Sequence, residues 1–145
     1  MADETVSTLN TLIETLKDGK AGFETAAGDV KDSQVKATFM ELAQQRSKFA
    51  TELSAEVQQL GGQPEESGSA SATLHRGWIN IKNALGGGEK SILNEAERGE
   101  DVAVKSFETA LSGKLSPEVA TVVRRQFAEV KKAHDRVRGL RDAWK

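Results

Sequence analysis

Residues 61–88, GGQPEESGSASATLHRGWINIKNALGGG, decide how this chain can fold, because they form the one long interruption between its helical patterns. At the start of the stretch, Gly61, Gly62 and Pro64 end the preceding helical pattern. At its end, three consecutive glycines separate it from the next helical pattern. A four-helix bundle whose helices alternate up and down needs only short loops. These 28 residues can instead run the full length of a bundle, so the sequence predicts a long crossover connection.

The second half of this stretch has a helical spacing of its own. Leu74, Trp78, Ile81 and Leu85 share one helical face, which predicts a short extra helix over about residues 73–85. We expect this helix to pack on the first two long helices, with Trp78 as its anchor.

Apolar residues return every three or four positions on both sides of the crossover, as they do in amphipathic helices. The patterns predict long helices over about residues 4–30, 33–60, 89–112 and 117–144. A short turn joins the first predicted helix to the second, and another joins the third to the fourth, which predicts two antiparallel hairpins. The chain has 145 residues, of which 37% are hydrophobic, and this suffices for one core. We therefore expect a single all-α domain over residues 1–145.

The two predicted hairpins also share a short repeat. The run Phe-Glu-Thr-Ala occurs at residues 23–26 in the first long helix and again at residues 107–110 in the third. A glycine follows each run before the next helix begins, at Gly28 and Gly113. Two helical hairpins joined by a crossover form the ferritin-like arrangement. The predicted fold is thus a ferritin-like four-helix bundle with a long crossover that carries a short extra helix.

Several stretches of the chain together resemble a bacterial family of ferritin-like four-helix-bundle proteins that carries only an unknown-function label. The stretches are LNTLIETLKDGKAGFETAA at 9–27, Glu41-Leu42 with Arg46, Phe49 and Leu53, LHRGW at 74–78, ERGEDVAVKSFETAL at 97–111 and AHDRVRGL at 133–140. The resemblance covers most of the chain and implies the same fold, with a more distant similarity to rubrerythrin and bacterioferritin domains. It implies a role only loosely, because a shared fold does not establish chemistry.

The composition excludes several classes of function. The chain has no cysteine, which rules out disulfide frameworks, thiolate zinc sites, iron–sulfur clusters and cysteine nucleophiles. Its first residues, MADETVSTLN, are acidic where a secretory signal is basic, and no run of about 18 apolar residues occurs. We expect a cytoplasmic protein that does not enter the membrane.

A di-iron site in such a bundle needs a Glu from each of two helices and a Glu-x-x-His motif from each of the other two. The chain has two histidines, and the residues three positions before them are Ala72 for His75 and Lys131 for His134. No Glu-x-x-His motif is therefore present, and the sequence predicts no catalytic residue, no cofactor and no complete metal centre. A reduced iron or zinc site that uses Glu97, Glu100 and His134 is the alternative.

Charged residues nevertheless lie on the apolar seams of three helices. Lys20 falls between Leu16 and Phe23, Arg46 lies on the seam of the second helix, and Glu100 lies on the seam of the third. A charge in a seam must be paired or must extend to water. The sequence predicts a structural polar network in which Arg46 and Glu100 meet inside the bundle, with Lys20 and His134 as further members. Such a pair would fix the register of the helices at a cost in stability.

The charge is distributed unevenly. Residues 114–145 contain nine basic and four acidic side chains, for a net charge of +5, whereas the whole chain carries −2. Clustered Lys and Arg can neutralise nucleic-acid phosphates. The interpretation we favour is a solvated helix face whose basic residues pair with the acidic helices beside it. Nucleic-acid binding through the last helix is the less favoured alternative.

Three leucines suggest a further surface. Leu9, Leu12 and Leu16 are too many for one narrow seam and predict an additional apolar face on the first helix, which we interpret as a dimer interface. The resulting hypothesis is a non-enzymatic, self-associating cytoplasmic protein with an accessory or stress-related role. The alternatives are a ferritin-like oxidase or storage protein with a reduced iron or zinc site, and a nucleic-acid-binding protein.

Overall fold

The computed structural model describes residues 2–64 and 87–144. Within them the chain forms four α-helices and no strand. The helices are α1 (Ala2–Ala27), α2 (Ser33–Gln59), α3 (Glu89–Ser112) and α4 (Pro117–Ala143). The predicted short helix at 73–85, with Trp78 and His75, lies outside the described residues. The predicted all-α fold is confirmed.

The four helices form two antiparallel hairpins packed side by side. α1 packs against α2 and α3, α4 packs against α3 and α2, and the pair α2 and α3 lies on a diagonal of the bundle without direct backbone contact. The side chain of Asn10 donates to the Gln63 carbonyl over 3.0 Å, so the end of α2 lies beside the start of α1. The connection from α2 to α3 therefore begins at this end of the bundle.

The start of α3 lies at the opposite end. The carboxylate of Glu89 accepts hydrogen bonds from the backbone N–H groups of Lys31 (2.5 Å) and Asp32 (3.2 Å), in the turn that joins α1 to α2. Asp32 in turn caps α2 by accepting from the Val35 N–H over 2.9 Å. Residues 64 and 87 are thus separated by the length of the bundle, which gives the crossover that the sequence predicts.

α1 ends earlier than the periodicity predicts. Its last helical residue is Ala27, whereas the apolar pattern continues to Val30. The N–H groups of Gly28, Asp29 and Val30 still bond to carbonyls of the last turn, but the chain has already left the helix. Val30 is 5% exposed and fills the core from the turn, so its apolar side chain extends the pattern without extending the helix.

The core runs the length of the bundle in two clusters. One cluster, at the end where α1 meets α2 through the turn, includes Phe23 and Phe39, whose ring centroids are 5.5 Å apart. The other cluster contains Leu9, Leu12 and Leu16, each at most 1% exposed. The prediction that these leucines form a second, outward face of α1 is wrong. Their side chains are buried within the chain, where they share one apolar cluster with residues of the other three helices.

Candidate functional site

A buried ion pair lies at the middle of the bundle. Arg46 on α2 donates from Nη1 to Oε1 of Glu100 over 2.6 Å and from Nη2 to Oε2 over 2.7 Å. The two side chains are 1% and 0% exposed. Two parallel charge-assisted hydrogen bonds in this geometry use both carboxylate oxygens of Glu100. The carboxylate is therefore fully engaged by a cation that belongs to the chain itself.

α1 makes room for the guanidinium. A Cβ atom on Gly19 would lie 3.4 Å from Nη1 of Arg46, so the glycine allows the group to lie close against the backbone of α1. The Phe23 ring, one turn further along α1, has its centroid 5.5 Å from the Arg46 Cζ atom, a cation–π distance. Because α2 and α3 are not neighbours, the pair spans the diagonal of the bundle and links one hairpin to the other.

The structure does not bring the other predicted site residues to this pair. His134 is 8% exposed on α4, and its Nε2 atom lies 2.5 Å from Oδ1 of Asp101. Its Nδ1 atom lies 3.3 Å from Oδ1 of Asp135. Lys20 is half-buried on α1, outside the pair. The predicted network of four residues is thus a pair, Arg46 with Glu100, and a separate histidine contact between α3 and α4.

The candidate metal ligands Glu97, Glu100 and His134 are also separated by their partners. Glu97 accepts hydrogen bonds from Arg138 over 3.2 Å and from Arg141, whereas Glu100 binds Arg46 and His134 contacts Asp101. Among residues 2–64 and 87–144, no three His, Asp or Glu side chains form a group that could hold a metal ion. Within this part of the chain, arginines hold the carboxylates that the sequence offers as ligands.

The basic residues of α4 bind acids on the neighbouring helices. Arg125 donates to Glu52 over 2.6 Å, and Arg136 donates to Glu41 over 2.7 Å. Partial burial by itself would raise the pKa of Glu52, but hydrogen bonds from Arg125 and Gln126 outweigh it and hold that pKa below its ordinary value of 4.5. Four arginines of α4 thus serve contacts within the bundle: Arg125, Arg136, Arg138 and Arg141.

Arg141 has a second acidic neighbour beside Glu97. Its Nη2 atom lies 2.9 Å from Oδ1 of Asp142, and this hydrogen bond raises the pKa of the guanidinium, with the charge of Glu97 acting in the same direction. Both contacts favour the charged form that an arginine side chain already has at neutral pH.

Sequence reasoning missed a role for Gln126. Its side chain is 0% exposed on α4, and its Nε2 atom donates to the Phe49 carbonyl (3.3 Å) and to Oε1 of Glu52 (2.9 Å). Its Oε1 atom is buried without a hydrogen-bond partner among the described residues. The signal in the sequence is the position of Gln126 three residues after Val123 and four before Val130, on the apolar stripe of α4.

A family model matches most of the chain. Residues 4–113 match the domain of unknown function DUF2383. The chain belongs to the DUF2383 family. The match covers α1, α2 and α3, so it includes both members of the buried pair. No curated protein matches the sequence.

Among solved structures, the bundle is similar to a mutant of Dps1 from Mycobacterium smegmatis. The two share 12% sequence identity, with a TM-score of 0.77 over 97% of this chain and 96% of the other. A similarity at this identity shows a common fold and nothing about ligands or activity. It confirms that this DUF2383 chain is a ferritin-like helical bundle. In the described part of the chain, no helix is both long and apolar enough to span a membrane.

Proposed function

We propose that this DUF2383 protein is a non-enzymatic, self-associating bundle in which a fixed ion pair takes the central position that metal ions take in di-iron bundles. The observation that carries the proposal is the bidentate pair of Arg46 and Glu100. In di-iron bundles, carboxylates and histidines from all four helices face the centre and are balanced by the metal charge. Here a guanidinium supplies the positive charge.

The pair leaves little for a metal ion to bind. Both oxygens of Glu100 already accept hydrogen bonds, and the guanidinium lies between Glu100, Gly19 and Phe23. A cation that bound Glu100 would have to break both hydrogen bonds from Arg46 and leave the buried guanidinium without this carboxylate. Leaving a buried charge unpaired costs about 3–5 kcal/mol, so the fixed cation is favoured over a mobile one.

Elemental analysis of the full chain tests this proposal. The protein is produced with excess iron or zinc, dialysed without chelator and measured for metal per chain. We expect no stoichiometric iron or zinc, and no change in the Glu100→Ala variant. Glu108→Ala serves as the matched control, since Glu108 lies on the exposed face of the same helix. Circular dichroism shows whether each variant is folded.

Stoichiometric metal that is lost on Glu100→Ala and kept on Glu108→Ala would contradict the proposal. The protein would then be a metal-binding relative with a reduced site. If Glu100→Ala does not fold, the double variant Arg46→Met with Glu100→Met replaces it, because it leaves no buried charge unpaired.

The self-association and the cellular role are parts of the same proposal. A ferritin-like bundle of this size buries one core and offers the outer faces of its helices to other copies. We infer a cytoplasmic accessory or stress-related role from the family resemblance. Nucleic-acid binding is not favoured, because the arginines of α4 that would contact phosphates instead bind Glu41, Glu52 and Glu97.

A further inference from the structure

Met40 is the one large hydrophobic side chain that stays exposed in the described part of the chain, with half of its surface accessible. It lies in a concave surface of about 350 Å³ between α1 and α2. We call this surface the Met40 groove; α1 lines it with Glu24 and Ala27, the turn after α1 lines it with Gly28, and α2 lines it with Lys36, Met40 and Ala43. Methionine is flexible and polarisable, and it is common at surfaces that bind other proteins.

The charges at the edges of the Met40 groove make it complementary to itself. Glu24 stands on the α1 side and Lys36 on the α2 side. In a two-fold symmetric dimer, each surface meets a copy of itself in the opposite orientation. A two-fold axis that runs along the groove, parallel to α1 and α2, would bring Glu24 to the partner's Lys36 and Lys36 to the partner's Glu24, with the Met40 side chains of both copies in the contact.

The surface of α2 beyond Met40 carries a row of short, uncharged side chains. Gln44, Ser47, Thr51 and Ser54 follow Met40 at helical spacing, and none of them is charged. All four are exposed or half-buried. The centres of protein interfaces are depleted in charge. α2 has 27 residues and is therefore about 40 Å long, and a standard stable interface buries about 800 Å² per partner.

A second groove, between α1 and α3, does not have charges that are complementary to themselves. It also measures about 350 Å³, but its edge carries Lys105 and hydroxyl groups such as Thr8 and Ser106, with no acidic residue. The same two-fold arrangement would set Lys105 on the α3 side against the hydroxyl groups of the α1 side, and the groove would offer this lysine no acidic partner.

We propose that a second copy of this chain docks on the Met40 groove, groove against groove, about a two-fold axis. This inference rests on the proposed self-association and names its surface. The partner is a copy rather than another protein because the acid and the base lie on opposite sides of the same patch, so that one surface provides both complements.

Sedimentation velocity of the full chain over a range of concentrations tests the surface. We expect wild type to form dimers and Met40→Glu to raise the dimer dissociation constant by about a hundredfold, since two carboxylates would meet in an apolar contact. Ala128→Glu is the matched control, because Ala128 is exposed on α4, away from the groove, and the same charge there should leave the dimer intact.

Charge reversal tests the two-fold pairing itself. Glu24→Lys alone and Lys36→Glu alone should each lose the dimer, because each places like charges opposite one another. A mixture of the two variants should restore it, since every contact in the mixed dimer then joins a lysine to a glutamate. If the mixture stays monomeric while wild type is dimeric, the pairing is wrong.

The outcomes separate the two proposals. A wild-type chain that stays monomeric at every concentration overturns self-association and the Met40 surface with it. A wild-type dimer that Met40→Glu leaves unchanged overturns the surface and leaves self-association standing.

Discussion

Replacing Arg46 by methionine removes the only cation that contacts Glu100 among the described residues, while keeping the bulk of the side-chain stem. Glu100 is 0% exposed and would be left as a buried carboxylate that has lost two charge-assisted hydrogen bonds of 2.6 and 2.7 Å. Breaking a buried pair in this way costs about 3–5 kcal/mol. For a chain near 150 residues this corresponds to a melting temperature lower by roughly 10–15 °C.

The double variant Arg46→Met with Glu100→Met gives the opposite expectation. Both charges are gone and the volume is kept, so the variant should lie within about 1–2 kcal/mol of wild type or exceed it. Urea unfolding followed by circular dichroism measures both free energies at neutral pH. Arg136→Met is the control, because its pair with Glu41 is half-exposed on both sides and should contribute at most about 1 kcal/mol.

Two results would refute the reasoning. One is a loss below about 1 kcal/mol for Arg46→Met, as expected of a pair in water. The other is a double variant no more stable than Arg46→Met, since the single variant's penalty is attributed to the unpaired charge of Glu100.

Two further predictions concern the edges of the bundle. Because the pKa of Glu52 is lowered in the folded chain, its contribution to stability is present above pH 4.5 and is lost as the pH falls through the folded pKa. Urea midpoints of wild type and Glu52→Gln should differ at neutral pH and converge in acid; a difference independent of pH would contradict this. A Cβ on Gly62 would lie 2.8 Å from both methyl carbons of Val6, so Gly62→Ala should lower the free energy of unfolding by about 1–3 kcal/mol. Gly139→Ala, where nothing lies within 4 Å on an exposed turn of α4, should be neutral or stabilising, and equal effects at the two glycines would count against the packing argument.

The fold could be predicted because its determinants are local. The spacing of apolar residues predicts the four helices, and the glycines at both ends of the long connection predict the crossover between the two hairpins. The errors arise where the same pattern has two structural causes. Val30 continues the spacing of α1 from within a turn, and Leu9, Leu12 and Leu16 belong to the buried core rather than to an outer face. Periodicity shows that a residue is buried but not what buries it.

The candidate site was less predictable, because a long charged side chain can reach several oppositely charged groups on the neighbouring helices. Arg46 and Glu100 each lie on a seam, and burial leaves them few alternatives, so their meeting follows from the requirement that a buried charge be paired. Glu97 and His134 lie closer to the edge of the seam. There Arg138 and Arg141 reach in from the exposed side of α4 to Glu97, and Asp101 contacts the imidazole. The spacing of residues along a helix does not predict which side chains of another helix contact them in this way.

The position of the pair explains why a charge is useful in this core. The two hairpins carry similar apolar seams, and a slip of seven residues, about 10 Å, would return similar side chains to similar places. Glu100 breaks that equivalence, since its counterpart in the repeated segment of α1 is Leu16. A slip of seven residues along α3 would set Leu93 or Phe107 opposite Arg46 in place of Glu100. Because the backbones of α2 and α3 are not in contact, we infer that the pair helps to specify how one hairpin packs on the other.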